Sequence, residues 1–401
     1  MILLKNGLIL DGENTVKRDI LIEGEKIVEI KENIEIKDGF IVKDVNENLV
    51  IPAGVDVHAH LREPGYEHKE TVKTGTLSAA KGGIATIITM PNLKPVPDNL
   101  EKLKVQKDIL DKDSCIRAYI SASVSIDEKG EQISDIKNLN DKVVCFTDDG
   151  LCVNNLEVLE NAMKLVDKPI ASHAEARGAK TAEDAEIIAV ERELELLRKY
   201  KHVKYHFCHL SCEKSFELVK SAKDEGLDVT CEVMPHHLFL NKSQIKDANW
   251  KMNPPLRSES DRLATIKALK SGIATMIATD HAPHSREEKS REYDKCPNGI
   301  IGFETMFPLV YTYLVKTGEI TLKEMVEWTS ENPAKRFNLP YGEIKVGGLA
   351  DIAVLDIKTE REYTEDEILS KSVNTPFIGF KLTGYPVLTL VGGKTVYDNL
   401  K

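Results

Sequence analysis

No stretch of this 401-residue chain approaches the ~18 uninterrupted apolar residues of a membrane span. The first residues, Met1-Ile2-Leu3-Leu4-Lys5-Asn6-Gly7, lack the apolar run and small-residue cleavage site of a secretory signal. A cytoplasmic location is therefore expected. None of the seven cysteines (Cys115, Cys145, Cys152, Cys208, Cys212, Cys231, Cys296) stands in a CxxC pair, which excludes zinc-finger and thioredoxin readings. In a reducing compartment they are expected to be buried thiols. Basic residues are outnumbered, 54 against 65 acidic, for a net charge of -11. With no basic stripe interleaved with aromatics, a general nucleic-acid surface is excluded. There is no internal repeat and no low-complexity tract. What remains is 41% hydrophobic and 30% charged, the composition of an ordinary globular enzyme. Its length allows a large barrel with an appended module.

The two ends of the chain read alike. Short alternating stretches such as Asp19-Ile20-Leu21-Ile22 and Lys26-Ile27-Val28-Glu29-Ile30 are split by Asp-Gly and Glu-Gly turns, and the same style returns in Asp351–Leu355 and Val387–Val391. Residues 1–52 and 345–401 are expected to form one small β-sandwich-like domain. Residues 53–344 alternate apolar strands with helical stretches such as Thr181–Tyr200 and Cys212–Lys223. Eight strand candidates fall at 55–60, 84–90, 116–124, 142–146, 169–173, 203–209, 228–233 and 274–280. Eight such units predict a (β/α)8 barrel of α/β class. The charged segment Ser285–Lys295 is expected to be a mobile loop over the site.

Barrel enzymes work at the C-terminal ends of their strands. In Val55-Asp56-Val57-His58-Ala59-His60 the two histidines share one strand face, because side chains alternate. Arg62 follows with a fixed positive charge. Strand two ends in Met90-Pro91-Asn92, and strand four runs into Asp148-Asp149. Strand five ends at His173, strand six at His209, and strand eight at Asp280, followed by His281 and His284. Four histidines and two carboxylates on one mouth are the donors and number for two borderline divalent ions such as Zn²⁺. His202 and His206 fit hydrogen-bonded structural roles, and so do His236 and His237 unless they stand behind the ligands.

The run from Val55 to Gly65 resembles the signature of the amidohydrolase superfamily, and within it the type I dihydroorotases. The similarity continues in Met90-Pro91-Asn92, Phe146-Thr147-Asp148-Asp149-Gly150, Cys208-His209-Leu210-Ser211, Lys251–Arg257, Ala278–His284 and Glu331–Lys335. It implies reversible hydrolysis of (S)-dihydroorotate to N-carbamoyl-L-aspartate, the third step of de novo pyrimidine synthesis. It further implies that His58, His60 and Asp280 hold a first metal and His173 and His209 a second. Asp149 would bridge them where many relatives have a carboxylated lysine, with one or two Zn²⁺ per chain. Asp280 would also shuttle the proton. Arg62, Asn92 and His284 would hold the substrate carboxylate, while Asn253 and backbone groups near Asn298 and Gly299 would read the ring. The alternatives are a hydantoinase, dihydropyrimidinase or allantoinase, or a catalytically silent assembly protein on the same scaffold. Family partners to expect are a second copy of the chain and aspartate transcarbamoylase. Nucleic acid and membrane are not expected as partners.

Overall fold

The computed structural model describes residues 1–400. The apolar runs of the middle section form eight parallel strands: Gly54–Ala59, Ile84–Thr89, Arg117–Ala122, Cys145–Phe146, Ile170–Ser172, Tyr205–Phe207, Val229–Val233 and Met276–Ile277. Each pairs with the next in chain order. The outer two then meet. Ala59 bridges His281 in parallel, and the His60 N–H donates to the His281 carbonyl at 2.9 Å. Asp56 fastens the same seam, accepting from the Thr279 N–H at 3.1 Å and from the Thr279 hydroxyl. The sheet is thereby closed into the expected (β/α)8 barrel. Strands four and eight are shorter than their apolar runs suggest. Val144, Thr275 and Ala278 still donate single bonds to the neighbouring strand, at 3.1 Å each, without consecutive pairing.

Strands buried on both faces explain why the runs are nearly continuous rather than alternating. Gly54–Ala59 and Ile84–Thr89 are buried at every position. Val55, Ile88, Cys145, Ala171, Cys208 and Met276, from six separate strand segments, belong to one cluster with Phe337. Side chains from so many strands can meet only inside the barrel. The helices begin where the sequence offers caps. Thr181 accepts from the Asp184 N–H at 3.0 Å to start Ala182–Leu197, and Thr71 and Thr74 form a capping box for Val72–Lys81. Gly82 ends the latter helix; a Cβ there would sit 2.2 Å from the Phe303 carbonyl oxygen.

The chain ends share one sheet. Leu49–Pro52 pairs antiparallel with Ile352–Asp356, and the strands on either side extend the same hydrogen-bonded path. Its buried side chains, including Leu4, Ile20, Ile22, Val50, Ile352 and Leu388, form a core of their own. Between Asp356 and Tyr385 the chain leaves this sheet. Tyr363, Phe377 and Leu382 pack with Trp250, Met252 and Ile300 of the barrel.

Of Ser285–Lys295, expected as a mobile loop, the first part, Ser285–Lys289, is fastened, while most of the rest is exposed. Ser285 caps a helical turn at Arg286–Lys289. The buried Lys289 ammonium donates to the carbonyls of Ala248, Lys251 and Pro297 at 2.9, 3.1 and 3.0 Å. A charged sequence suggests a solvated loop, but three converging carbonyls give this amine a buried place. Among the described residues no helix is long and apolar enough to cross a membrane.

Candidate metal centre

The strand ends bring the expected ligands together. The rings of His58 and His60 lie 5.5 Å apart, and those of His173 and His209 4.6 Å apart. Asp149 stands between the pairs. Its Oδ1 is 3.2 Å from His58 Nε2, 3.5 Å from His173 Nδ1 and 3.9 Å from His209 Nε2, and its Oδ2 is 3.4 Å from His60 Nε2. Asp280 Oδ1 closes the other side, 3.0 Å from His60 Nε2 and 3.6 Å from His58 Nε2. The neighbouring Asp148 turns away. It accepts from the Ser125 N–H at 3.0 Å and from the Ser125 hydroxyl, and burial pushes its carboxyl up to about 6. Arg62, His209 and Asp280 all adopt positive φ, at 62, 36 and 46°. Non-glycine residues held there carry backbone strain of the kind that gathers at functional sites.

These donors fit divalent cations. His58 Nε2 and Asp149 Oδ1 are buried with no hydrogen-bond partner, although buried polar atoms normally find one. His58–His60–Asp149 and Asp149–His173–His209 each gather three ligand atoms within 4.8 Å of one another. Asp149 belongs to both groups. The set is all imidazole and carboxylate, the donors of catalytic zinc-type sites. Charge follows the same geometry. Burial opposes the charge on the Asp149 carboxylate, but His58 and His173 outweigh it and hold the carboxyl well below its ordinary value.

Behind the ligands stand residues that sequence reasoning missed. Glu232, fully buried on strand seven, places Oε1 2.7 Å from His58 Nδ1 and Oε2 3.2 Å from His206 Nε2. Burial works against its charge, yet His58 and His206 draw its carboxyl down to about 2. By accepting from Nδ1–H it would fix the tautomer that leaves the His58 Nε2 lone pair free for a metal ion. A charged residue inside the apolar run Val229–Val233 was the available signal. Glu232→Gln should weaken metal binding roughly 10- to 100-fold with the fold retained. Chelator competition and circular dichroism check it; unchanged affinity would exclude the orienting role. Glu175 does the same for His173, with Oε2 3.0 Å from Nε2, and that bond is the main reason its carboxyl sits at about 2.

Two expected substrate contacts are already engaged. Asn92 Oδ1 accepts from His60 Nδ1 at 2.9 Å and its Nδ2 donates to Asp149 Oδ2 at 3.3 Å. His60 needs that acceptor because its other nitrogen faces Asp280. The Asn253 amide donates to Glu175 Oε2 at 2.9 Å. His236 and His237 are buried without reaching the ligands' inner face; His237 Nε2 donates to the Pro254 carbonyl at 3.0 Å. His206 lies between Glu232 and Thr230, and His202 is exposed.

Over these donor groups lies a cavity of about 210 Å³. Every residue expected at the site lines it except His58, which lies beneath. Arg62 is only 9% exposed; its Nε donates to the Pro283 carbonyl at 3.2 Å and one terminal nitrogen approaches His284 at 3.5 Å. Among the described residues it forms no ion pair, leaving a guanidinium edge free toward the cavity. Burial, with Arg62 and Lys69 adding to it, drives the His284 imidazole down to about 2. The neutral ring donates from Nε2 to the Asn298 carbonyl at 2.7 Å and accepts at Nδ1 from the Lys69 ammonium at 3.3 Å. Lys69 is another residue that no local pattern indicated.

An amidohydrolase family model matches residues 49–396. A dihydroorotase of Staphylococcus aureus is 39% identical over 425 residues, covering all of both chains. A dihydroorotase of Fusobacterium nucleatum is 42% identical over 418 residues, covering 98% of each. Among solved structures, an L-hydantoinase (dihydropyrimidinase) from Arthrobacter aurescens superposes with a TM-score of 0.88 at 25% identity, over 100% of this chain and 96% of that one. A dihydropyrimidinase from Brevibacillus agri shares the fold, with a TM-score of 0.85 at 24% identity over 100% and 95%. This chain belongs to the amidohydrolase family.

Proposed function

We propose that the chain catalyses the reversible hydrolysis of dihydroorotate to N-carbamoyl-L-aspartate. The observation that carries this is Arg62: a buried guanidinium without a carboxylate partner, on the wall of a cavity floored by metal-ligand groups. A neutral cyclic amide leaves such a charge uncompensated, whereas a ring bearing a carboxylate completes it. The full-length relatives named dihydroorotase support the same substrate.

Two Zn²⁺ ions would suit the donor set: His58, His60, Asp149 and Asp280 would hold one, and Asp149, His173 and His209 the other. Such ions supply Lewis acidity and make a hydrolytic water available near neutral pH. The chain's own residues supply the rest. Arg62 fixes the substrate carboxylate, with the His284 ring, both of whose nitrogens are already engaged, packed beside it, and so orients the reacting amide over Asp280. Asp280 takes the proton from the attacking water as the carbon–oxygen bond forms. It delivers that proton to the ring nitrogen as the carbon–nitrogen bond breaks. Ring closure reverses both transfers. Asp149→Ala should lower the metal bound per chain, whereas Asp148→Ala should leave it unchanged, since Asp148 is committed to Ser125. Elemental analysis of the dialysed proteins measures both.

The deciding assay compares dihydroorotate, hydantoin and allantoin with metal-loaded protein. Turnover of hydantoin alone overturns the proposal. The family resemblance supports self-association and pairing with aspartate transcarbamoylase as proposals; size-exclusion chromatography with and without the transcarbamoylase tests both.

A further inference from the structure

The segment Ser370–Asn374 comes from the C-terminal stretch of the chain, yet it lies across the barrel mouth. The Ser370 hydroxyl donates to Glu70, the Lys371 N–H donates to Glu70 Oε1 at 3.1 Å, and the Ser372 hydroxyl donates to the Lys69 carbonyl at 2.6 Å. At its far end Asn374 is 2% exposed, and its side-chain oxygen, its side-chain nitrogen and its carbonyl are all hydrogen-bonded. Its Oδ1 accepts from the His284 N–H at 3.1 Å. Its Nδ2 donates to the carbonyls of Ala282 at 3.1 Å and Gly299 at 2.9 Å. Its own carbonyl accepts from the Ile301 N–H at 2.9 Å.

Ala282, His284 and Gly299 line the cavity over the metal ligands, whereas Asn374 does not. The two backbone edges it joins are in direct contact. Gly299 has φ +133°, and a Cβ there would stand 2.7 Å from the Ala282 carbonyl oxygen and 3.0 Å from His284 Cδ2. Carbonyls of two converging edges repel unless donors lie between them. A carboxamide offers two N–H groups and one acceptor on one short side chain, and all three are used here. Without them, two carbonyls and one N–H are left unsatisfied in a buried place, which loosens the two edges beyond the point where the Ala282 N–H to Ile300 carbonyl bond, at 2.7 Å, joins them directly.

We propose that Asn374 is a positioning residue for the wall that holds the substrate carboxylate. By holding the Ala282–His284 edge against Gly299, it sets where the His284 ring and the Asn298 carbonyl stand relative to Arg62. This role rests on the dihydroorotate substrate proposed above. It touches neither the metal ligands nor Asp280, so it predicts a change in binding rather than in chemistry.

The test compares metal-loaded, full-length N374A, N374D and unaltered protein. A displacement of the wall by a fraction of an ångström should raise KM for dihydroorotate about tenfold or more in both variants, with kcat within about threefold. Metal per chain should not change. A purely structural role would lower Tm without splitting KM from kcat. Hydrogen exchange gives a readout that needs no substrate. N374A removes the acceptor of the His284 amide and should speed its exchange about tenfold or more, whereas N374D keeps an acceptor oxygen and should slow it back toward the unaltered rate. A folded N374A with KM within about twofold of the unaltered protein overturns the proposal. If N374A does not fold, the same limit is applied to N374D. If the unaltered protein is inert toward dihydroorotate, the substrate assignment has failed rather than the clamp. The His284 amide then decides the clamp, and unchanged exchange in N374A overturns it.

Discussion

Asp280→Asn should lower dihydroorotate turnover by about two to four orders of magnitude, the usual share of a positioned general base, while the protein remains folded. The substitution keeps size and hydrogen bonding but cannot take a proton. Asp280 Oδ1 lies within 3.0 Å of His60 Nε2 and 3.6 Å of His58 Nε2, so the same oxygen belongs both to the ligand cluster and to the cavity surface. Two causes of inactivity must therefore be separated. If the loss came only from a weaker metal site, added Zn²⁺ would restore activity in proportion to occupancy. Loss of the shuttle survives saturation, because no other carboxylate stands on that side of the cavity: Asp149 lies across from it, and Glu232 and Glu175 are turned to Nδ1 of His58 and Nε2 of His173. Full occupancy with restored turnover would refute the shuttle.

The barrel is legible in the sequence because most of its strands lie in largely apolar runs separated by helical stretches, and a parallel sheet covered on both faces requires that pattern. His58 and His60 are legible for a different reason: a spacing of two on a strand is enough to make them neighbours. His173, His209 and Asp280 need the further rule that barrel chemistry sits at strand C-termini. The rule reaches Glu232 too, since it occupies the last turnward position but one of strand seven; a charged side chain within an otherwise apolar strand is the mark it leaves. The length of strands four and eight is less legible, because pairing depends on the neighbour's register rather than on the residues themselves.

The residues behind the cavity wall have no local signature at all. Lys69 reaches His284 across 215 positions of sequence, and Asn374 reaches it across 90. A lysine in a polar loop and an asparagine before Thr375-Pro376 look like surface residues until the fold brings partners to them. Asn92 and Asn253 show the opposite case. Their location at the cavity is readable from the motifs, but their hydrogen bonds to His60, Asp149 and Glu175 depend on which groups lack partners nearby. Lys289 likewise reads as a solvated charge and is in fact held by three carbonyls.

Arg62→Met should cost about 2–5 kcal/mol of dihydroorotate binding, roughly 30- to 5,000-fold in kcat/KM, the range for truncating one side of a buried, hydrogen-bonded charge pair. Methionine fills similar volume, so cavity collapse contributes little. Both side chains bear the same backbone strain at φ 62°, so stability should change through two opposing effects, the lost bond to the Pro283 carbonyl, about 1 kcal/mol, and relief from burying an unpaired charge. The informative quantity is the contrast with a neutral cyclic imide. That substrate has no carboxylate to lose, and removing an uncompensated buried charge beside it should leave its turnover unchanged or raise it. Arg62→Lys should recover little toward dihydroorotate, because an ammonium cannot present the two parallel N–H groups of a guanidinium. Steady-state kinetics on both substrates with both variants measures the contrast. Equal losses on the two substrates would mean that Arg62 supports the loop through Pro283 and His284 rather than gripping a carboxylate, and the choice between a dihydroorotate site and a hydantoin site would then fall to the neutral ring.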